Sequence, residues 1–231
     1  MDAATGSVGS WLSPPQTSEE CVAETGSTQD APTVWYLLGA SGTGKSTRAR
    51  ELVAELGPAV YVISTDVIRA QLRAVLDRER EPDLWAESFD VPLIGNDEGE
   101  LLDGVNINGF LRQCRPVLRA VEAAVTYCLT EGWNCIVEGV HLVPGEFSLA
   151  AVAGVEVHAE LRLVEDYAAH RELFVAREVA SAGGRPAAHY HTNLARIRTV
   201  QGLIHERWLS WDALPGQRAR IEHVTPRVGE R

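Results

Sequence analysis

The sequence predicts a three-layer α/β sandwich, in which a central parallel sheet carries helices on both faces. Three observations favour this fold class. From Val34 onward, short apolar runs alternate with segments of helical periodicity. A glycine-rich motif joins the first strand to the first helix. The length of 231 residues suits one domain of this kind. Strand–helix–strand units form right-handed crossovers, so ligands are expected at the carboxyl ends of the strands.

The motif is Gly39-Ala-Ser-Gly-Thr-Gly-Lys-Ser46, which fits G-x-x-x-x-G-K-[ST], the phosphate-binding P-loop. Lys45 is the only lysine among the 21 lysines and arginines of the chain. An ammonium is a compact charge that can lie against the β- and γ-phosphates of ATP. Glycines let backbone N–H groups turn inward, and the next helix adds its positive N-terminus. The predicted ATP-binding residues are Gly39, Ala40, Ser41, Gly42, Thr43, Gly44, Lys45, Ser46 and Thr47.

Apolar spacing predicts the elements around the motif. The run before it is mostly apolar, as in a buried parallel strand. The segment after it has apolar residues at helical spacing and ends at Gly57-Pro58. The predicted elements are a strand over 33–38, a helix over 46–56, a strand over 59–63 and a helix over 66–76. Residues from about 77 to 108 are charged and interrupted by Pro and Gly, which indicates a long loop or a cap over a site.

The same alternation continues in the second half of the chain. Nine apolar or cysteine side chains line one face of a predicted helix over 109–131. The next apolar run is short and ends at Glu138, which begins a predicted turn. The predicted elements are a strand over 134–137, a turn over 138–141, a strand over 155–164, a helix over 166–182, a helix over 189–209 and a strand over 220–224.

Composition restricts the classes of function. The net charge of −11 argues against nucleic acid as a main partner. The chain has no apolar run of 18 residues and no signal-peptide pattern, so no membrane span is expected and the cytoplasm is the expected compartment. The four cysteines form no C-x-x-C pair, and three of them lie in apolar patterns that predict buried thiols, with a zinc site or a disulfide framework as the alternative. Residues 1–31 predict a flexible tail before a domain over 32–231, and the oligomeric state stays open.

Two acids follow predicted strands and so are expected beside the P-loop. Asp66 could accept a proton from a substrate hydroxyl or, as an alternative, cap the helix that follows it. Glu138 could bind Mg²⁺ or its water, with the Ser46 hydroxyl as a second ligand, or could be a structural turn residue. Lys45, Asp66 and Glu138 are therefore the predicted catalytic residues.

Arginines and a histidine are the candidates for binding an anionic acceptor. Arg69 lies one helical turn beyond Asp66. Arg171, Arg177 and Arg185 lie on residues 166–190, where a Gly-Gly break is typical of a mobile lid, although an ordinary amphipathic helix would look similar. His141, close to Glu138, could touch the substrate. The predicted substrate-binding residues are Asp66, Arg69, His141, Arg171, Arg177 and Arg185.

Three blocks of sequence resemble the 2-phosphoglycerate kinases. They are the P-loop 39–47, the block Val62-Ile-Ser-Thr-Asp-Val-Ile-Arg69, and the block Ile136-Val-Glu-Gly-Val-His-Leu-Val-Pro-Gly145. Residues between His170 and Gln201 extend the resemblance. It implies a P-loop kinase fold, with Asp66 and Glu138 facing the reaction and the arginines serving phosphate groups. The implied reaction is ATP- and Mg²⁺-dependent phosphorylation of a hydroxyl on 2-phosphoglycerate, giving 2,3-bisphosphoglycerate.

The residues themselves leave two alternatives open. One is a kinase of a nucleoside, a sugar or an antibiotic on the same fold, and the other is a nucleotide-dependent regulatory binding module. Asp66 and the arginines of the lid favour phosphoryl transfer to a small molecule over the regulatory module.

Overall fold

The computed structural model describes residues 31–94, 101–147, 155–184, 186–211 and 218–225. The predicted tail, apart from residue 31, lies outside the described residues, and so does Arg185.

The described elements alternate between strands and helices. In chain order they are β1 (Thr33–Leu38), α1 (Lys45–Leu56), β2 (Val60–Ser64), α2 (Thr65–Val75), a 3₁₀ turn (Pro82–Trp85), β3 (Leu101–Leu102), β4 (Val105–Asn106), α3 (Ile107–Thr130), β5 (Asn134–Gly139), β6 (Glu156–Leu163), α4 (Tyr167–Ala180), α5 (Ala187–Thr192), α6 (Leu194–Leu209) and β7 (Arg218–His223).

Five strands form one parallel sheet in the order β2-β5-β1-β6-β7, and β3 and β4 form a small antiparallel pair. The predicted α/β class with a central parallel sheet is thus confirmed. The register brings the carboxyl ends of three neighbouring strands into line. Leu38 pairs with Gly139 and with Leu161, while Ser64 pairs with Glu138. The chain segments that follow β1, β2 and β5 therefore all leave the same edge of the sheet.

Alternate residues of β1 are buried on opposite faces of the sheet. Leu37 packs with Leu52 of α1 and with Ile136 on one face. Tyr36 and Leu38 belong to a larger cluster on the other face, which includes apolar side chains of α3 and α6. Each side chain of this size that is fully removed from water contributes about 1.5–3 kcal/mol. The two clusters fix α1 on one side of the sheet and α3 and α6 on the other, as a three-layer sandwich requires.

Two predicted elements differ from the structure. The helix predicted over 189–209 is two helices, because the chain turns at Asn193, whose side chain amide donates to the carbonyl of His189. The turn predicted to start at Glu138 starts later. Glu138 is hydrogen-bonded into the sheet with β1 on one side and β2 on the other, so β5 continues to Gly139. In the described parts of the chain, no helix is both long and apolar enough to cross a membrane.

Candidate active site

The P-loop connects β1 to α1 and has the backbone shape of an anion cradle. Gly44 caps α1 with a left-handed backbone (φ 77°), and the first turn of α1 contains no acidic residue. Gly42 is also left-handed (φ 82°), and a Cβ there would lie 2.5 Å from the ring of Phe174 on α4. The loop therefore needs glycine at both positions, for its turn and for the close approach of α4. The first N–H groups of an α-helix have no acceptor within the helix and suit phosphate, although that of Thr47 already donates to the carbonyl of Gly44 at 3.1 Å.

Lys45 is buried behind the loop, where its Nζ donates to the carbonyl of Ala40 at 2.6 Å. Burial lowers the pKa of Lys45 from 10.5 to about 8, although the carboxylates of Glu138 and Asp66 act in the opposite direction. A buried ammonium is costly unless an anion compensates it. The sole lysine thus stays in a position that a bound polyphosphate would stabilise.

The two predicted acids come from the carboxyl ends of β5 and β2, which lie on the same side of β1 in the sheet. The Ser46 hydroxyl donates to Glu138 Oε2 at 3.3 Å, which links α1 to the end of β5. Asp66 is exposed at the cavity, in the first turn of α2. Ser64, rather than Asp66, occupies the N-cap position of this helix, and no side chain caps it. The alternative that Asp66 is the helix cap is therefore wrong, and its carboxylate is available to a ligand.

A cavity of about 470 Å³, which we name the P-loop cavity, lies between the loop and α4. Leu173, Ala176, Arg177 and Ala180 line it, at the spacing of one helix face. Among the predicted residues, those on its wall are Ser41, Gly42, Gly44, Lys45, Ser46, Thr47, Asp66, Glu138 and Arg177. The structure thus brings the P-loop, both acids and one arginine of the predicted lid together around one space.

Three other predicted substrate-binding residues do not line this cavity. Arg69 donates from Nη1 to the carbonyl of Ala86, and its Nε is buried without a hydrogen-bond partner in the described chain. Arg171 is exposed on α4, where its backbone carbonyl accepts from His191. His141 is fully buried, so the predicted contact between His141 and substrate is wrong in this structure. Arg185 cannot be placed, because it lies outside the described residues.

His141 instead belongs to a buried polar network. Its Nε2 donates to Gln113 Oε1 at 3.1 Å, since an amide oxygen only accepts, and its Nδ1 then accepts from the Thr65 hydroxyl at 2.8 Å. The Gln113 amide donates to the carbonyls of Asp83 and Ala86, at 2.5 and 3.0 Å. Burial lowers the pKa of His141 to about 4, which keeps the ring neutral. The network ties α2, α3 and the 3₁₀ turn to the segment after β5.

Thr65 also interlocks with the end of β5. A Cβ at Gly139 would overlap the Thr65 side chain, and Gly139 has a φ of 157° that L side chains rarely adopt. Thr65 precedes Asp66 and Gly139 follows Glu138, so this contact brings the backbone segments that carry the two acids close together. Sequence reasoning missed Thr65 and Gln113. The available signal was a glutamine within the apolar stripe of the predicted helix over 109–131.

A second group missed from the sequence supports the P-loop from β6. Arg162 donates from Nε to the carbonyl of Thr43 at 3.1 Å and from Nη1 to Glu160 at 2.6 Å. Glu160 is fully buried, which raises its pKa, but hydrogen bonds from Arg220 and Arg162 outweigh burial and lower it. The carboxylate is therefore charged at neutral pH and holds Arg162 against the loop. Arg50 of α1 also lines the cavity without having been predicted.

The oxygen atoms of Ser46 and Glu138 suit a magnesium ion. Mg²⁺ prefers hard oxygen ligands and commonly takes one or two from protein and the others from phosphate and water. A hydroxyl and a carboxylate 3.3 Å apart at the mouth of a P-loop fit this pattern. Within the described residues, no group of three or more His, Cys, Asp or Glu side chains could hold a metal. The pair fits an ion that arrives with a nucleotide better than one held by protein alone.

The parallel sheet, the P-loop between β1 and α1, and the helix that covers the loop define a P-loop protein with a kinase-type fold. Residues 34–180 match the model of the AAA domain family, and the chain belongs to that family.

Curated relatives confirm the resemblance seen in the motifs. The 2-phosphoglycerate kinase of Methanopyrus kandleri is 35% identical over 179 residues, which are 77% of this chain and 54% of the relative. That of Methanocaldococcus jannaschii is 34% identical over 176 residues, 76% of this chain and 55% of the relative. The chain thus spans about half the length of these relatives. A chain of the Pnkp1/Rnl/Hen1 RNA repair complex aligns over 81% of this chain and 48% of its own, with 16% identity and a TM-score of 0.45.

Proposed function

We propose that this protein is an ATP-dependent kinase that phosphorylates a hydroxyl of a small anionic metabolite, with 2-phosphoglycerate as the first candidate. The observation that carries the proposal is the Asp66 carboxylate, exposed in the same cavity as Lys45 and the Ser46–Glu138 pair. A P-loop alone would support nucleotide binding. A free carboxylate facing it adds a group that can act on a second substrate.

Each cavity residue has a role in this reaction. The P-loop amides and Lys45 bind the β- and γ-phosphates, and Lys45 leaves the carbonyl of Ala40 to do so. Ser46 and Glu138 would hold Mg²⁺, which when bound neutralises charge on the phosphates. Arg177, across the cavity, stabilises the negative charge of the transferring group.

Asp66 is proposed as the base. The acceptor oxygen forms a bond to the γ-phosphorus while the bond from that phosphorus to the β–γ bridging oxygen breaks, leaving ADP. The proton of the acceptor hydroxyl passes to the Asp66 carboxylate. The contact between Thr65 and Gly139 holds the backbone that carries Asp66 next to the backbone that carries Glu138, which supports a shared role of the two acids in this step.

Arg69 is proposed to bind the anionic group of the acceptor. Its guanidinium is satisfied in part by the carbonyl of Ala86, and its buried Nε has no partner among the described residues. An acceptor phosphate or carboxylate would supply the missing acceptor through a charge-assisted hydrogen bond. Because Arg69 does not line the cavity here, its side chain would have to turn from Ala86 toward the cavity to make this contact. Arg171 points away from the cavity in this structure, so a contact between it and substrate would require α4 to move.

Acceptor profiling tests the proposal. ADP formation would be measured with 2-phosphoglycerate, 3-phosphoglycerate, glycerate, a nucleoside and a neutral sugar. We expect a phosphorylated or carboxylated acceptor to be preferred. Arg69→Met should raise its KM about 10- to 150-fold, the equivalent of a lost charge-assisted bond of about 1.5–3 kcal/mol. The KM for ATP should not change, and Arg73→Met, one turn further along α2, is the matched control.

A neutral acceptor used as efficiently as any anion, and insensitive to Arg69→Met, would contradict the anionic acceptor. ATP hydrolysis without transfer to any acceptor, unaffected by Asp66→Asn, would contradict the kinase itself.

A further inference from the structure

The guanidinium of Arg177 has to be held in place if it is to serve the P-loop cavity. Arg177 lines the cavity from α4, and its positive charge is one of the smaller causes that lower the pKa of Lys45. An arginine side chain carries about 2 kcal/mol of rotamer entropy. Donors that stabilise a transition state act best when they are fixed before the reaction begins. Some part of the protein should therefore restrict this side chain.

One side chain that contacts this guanidinium is Tyr190 of α5. The guanidinium carbon of Arg177 lies 5.0 Å from the centroid of the Tyr190 ring, within the reach of a cation–π interaction. The Tyr190 ring lies parallel to that of Phe174, with the centroids 4.7 Å apart and an angle of 4°. Phe174 in turn stacks on His170, at 5.2 Å and 10°. The three rings form one column, which we name the ring stack.

The ring stack is anchored on the P-loop. His170 donates from Nε2 to the carbonyl of Ser41 at 2.9 Å. Phe174 is fully buried and packs against Gly42, where no Cβ could fit. One end of the stack therefore contacts the loop that binds phosphate, and the other end lies under the guanidinium of Arg177.

Two hydrogen bonds fasten α5, and with it Tyr190, to α4. His191 donates from Nε2 to the carbonyl of Arg171 at 3.0 Å. The backbone N–H of Ala187 donates to Glu178 Oε2 at 3.2 Å. These bonds lie before and after Tyr190 in the chain, so α5 cannot move away from α4 without breaking one of them, and the Tyr190 ring itself is held by its stacking on Phe174.

We propose that Tyr190 is a positioning residue that holds the guanidinium of Arg177 at the P-loop cavity, and that the ring stack fixes this arginine relative to Ser41. The inference rests on the proposed function, because it assigns a role to the lid arginine of that reaction. It predicts that the π face of Tyr190, rather than its hydroxyl or its volume, matters for turnover.

Substitutions at Tyr190 separate these properties. Tyr190→Phe keeps the face and removes the hydroxyl, whereas Tyr190→Met keeps an apolar side chain without a π face. Tyr167→Met is the matched control, because Arg198 lies 5.8 Å from the Tyr167 ring and neither residue lines the cavity. For each variant we would measure kcat, the KM for ATP and the midpoint of thermal unfolding.

We expect Tyr190→Met to lower kcat about 3- to 30-fold, the range that a cation–π contact supports. Tyr190→Phe and Tyr167→Met should stay within about twofold of the wild type, since neither removes a π face from Arg177. Arg177→Met should lower kcat at least as far as Tyr190→Met. The variant that carries both substitutions should have the kcat of Arg177→Met alone, because the contact between the two side chains is already lost in that single variant.

Fluorination keeps the test valid if Tyr190→Met does not fold. Replacing Tyr190 by phenylalanine and then by 3,4,5-trifluorophenylalanine keeps the shape of the ring nearly constant, while the fluorine atoms reduce the negative electrostatic potential over its face. A kcat that falls with fluorination supports the proposal. An unchanged kcat, with Arg177→Met still impaired, overturns the role of Tyr190 but leaves the proposed function intact. An unimpaired Arg177→Met would instead remove the lid arginine from the proposed function.

Discussion

Lys45 should take up a proton when nucleotide binds in mildly alkaline solution. In the ligand-free protein, burial lowers the pKa of Lys45 to about 8. A polyphosphate beside the ammonium favours the charged form and so raises this pKa again. Binding and protonation of one side chain are thereby linked. The size of the linkage follows from the two pKa values.

The expected number of protons can be calculated. With a pKa of about 8, about three quarters of the Lys45 side chains are neutral at pH 8.5 and about a tenth at pH 7. If Lys45 is fully charged in the complex, the protein takes up about 0.75 proton from solvent per nucleotide bound at pH 8.5 and about 0.1 at pH 7. Above pH 8 the affinity should fall, approaching tenfold per pH unit.

Isothermal titration calorimetry measures this uptake directly. A non-hydrolysable ATP analogue with Mg²⁺ would be titrated at both pH values, each in two buffers of different ionisation enthalpy. The difference in heat between buffers gives the number of protons. Lys45→Met is the control, in which the additional uptake at pH 8.5 should disappear. Equal uptake at the two pH values, or uptake that persists in Lys45→Met, would refute the reasoning.

Three further predictions concern single residues. Between pH 8 and 10.5, the unfolded chain binds more protons at Lys45 than the folded chain does. In denaturant titrations of the ligand-free wild type, the free energy of unfolding should therefore rise with pH by up to about 3 kcal/mol over that range. Lys45→Met should lack this rise. Asp66→Asn should lower kcat by orders of magnitude with little change in thermal stability or ATP affinity, since Asp66 caps no helix; full activity would exclude the base. Gly42→Ala should displace α4 and abolish turnover, whereas Gly57→Ala, with a similar φ but open space around it, should cost about 1–3 kcal/mol of stability and leave turnover intact; equal losses of turnover would contradict the contact with Phe174.

The fold and half of the site could be predicted because their signals are local. The P-loop has fixed spacing, and the apolar periodicities of β1 and α3 each arise from one element packing on one core. Asp66 and Glu138 could be found because residues at the carboxyl ends of parallel strands meet at one edge. The positions of these two residues are therefore set mainly by the order and register of the strands.

What the sequence did not reveal depends on contacts between distant segments. His141 is a plausible substrate ligand by its position, and only the packing of Gln113 and Thr65 around it shows that it is buried. Arg69 has the sequence position expected of a binding arginine, yet its guanidinium donates to the carbonyl of Ala86, just after the 3₁₀ turn. Arg171 lies on the predicted lid helix, yet it does not line the cavity. Periodicity also does not reveal the break at Asn193, because both α5 and α6 continue the same helical pattern.

The interlock between Thr65 and Gly139 has a consequence for how the proposed kinase could change its acceptor. The segments that carry the two acids form one tightly packed block, since a Cβ at Gly139 would overlap the Thr65 side chain. New acceptor preferences would therefore be easier to acquire in the segment over 77–94, whose Asp83 and Ala86 carbonyls accept from Gln113, the hydrogen-bond partner of His141 beside the block. Divergence of that segment, with the block unchanged, would let related chains keep one reaction while differing in what they phosphorylate.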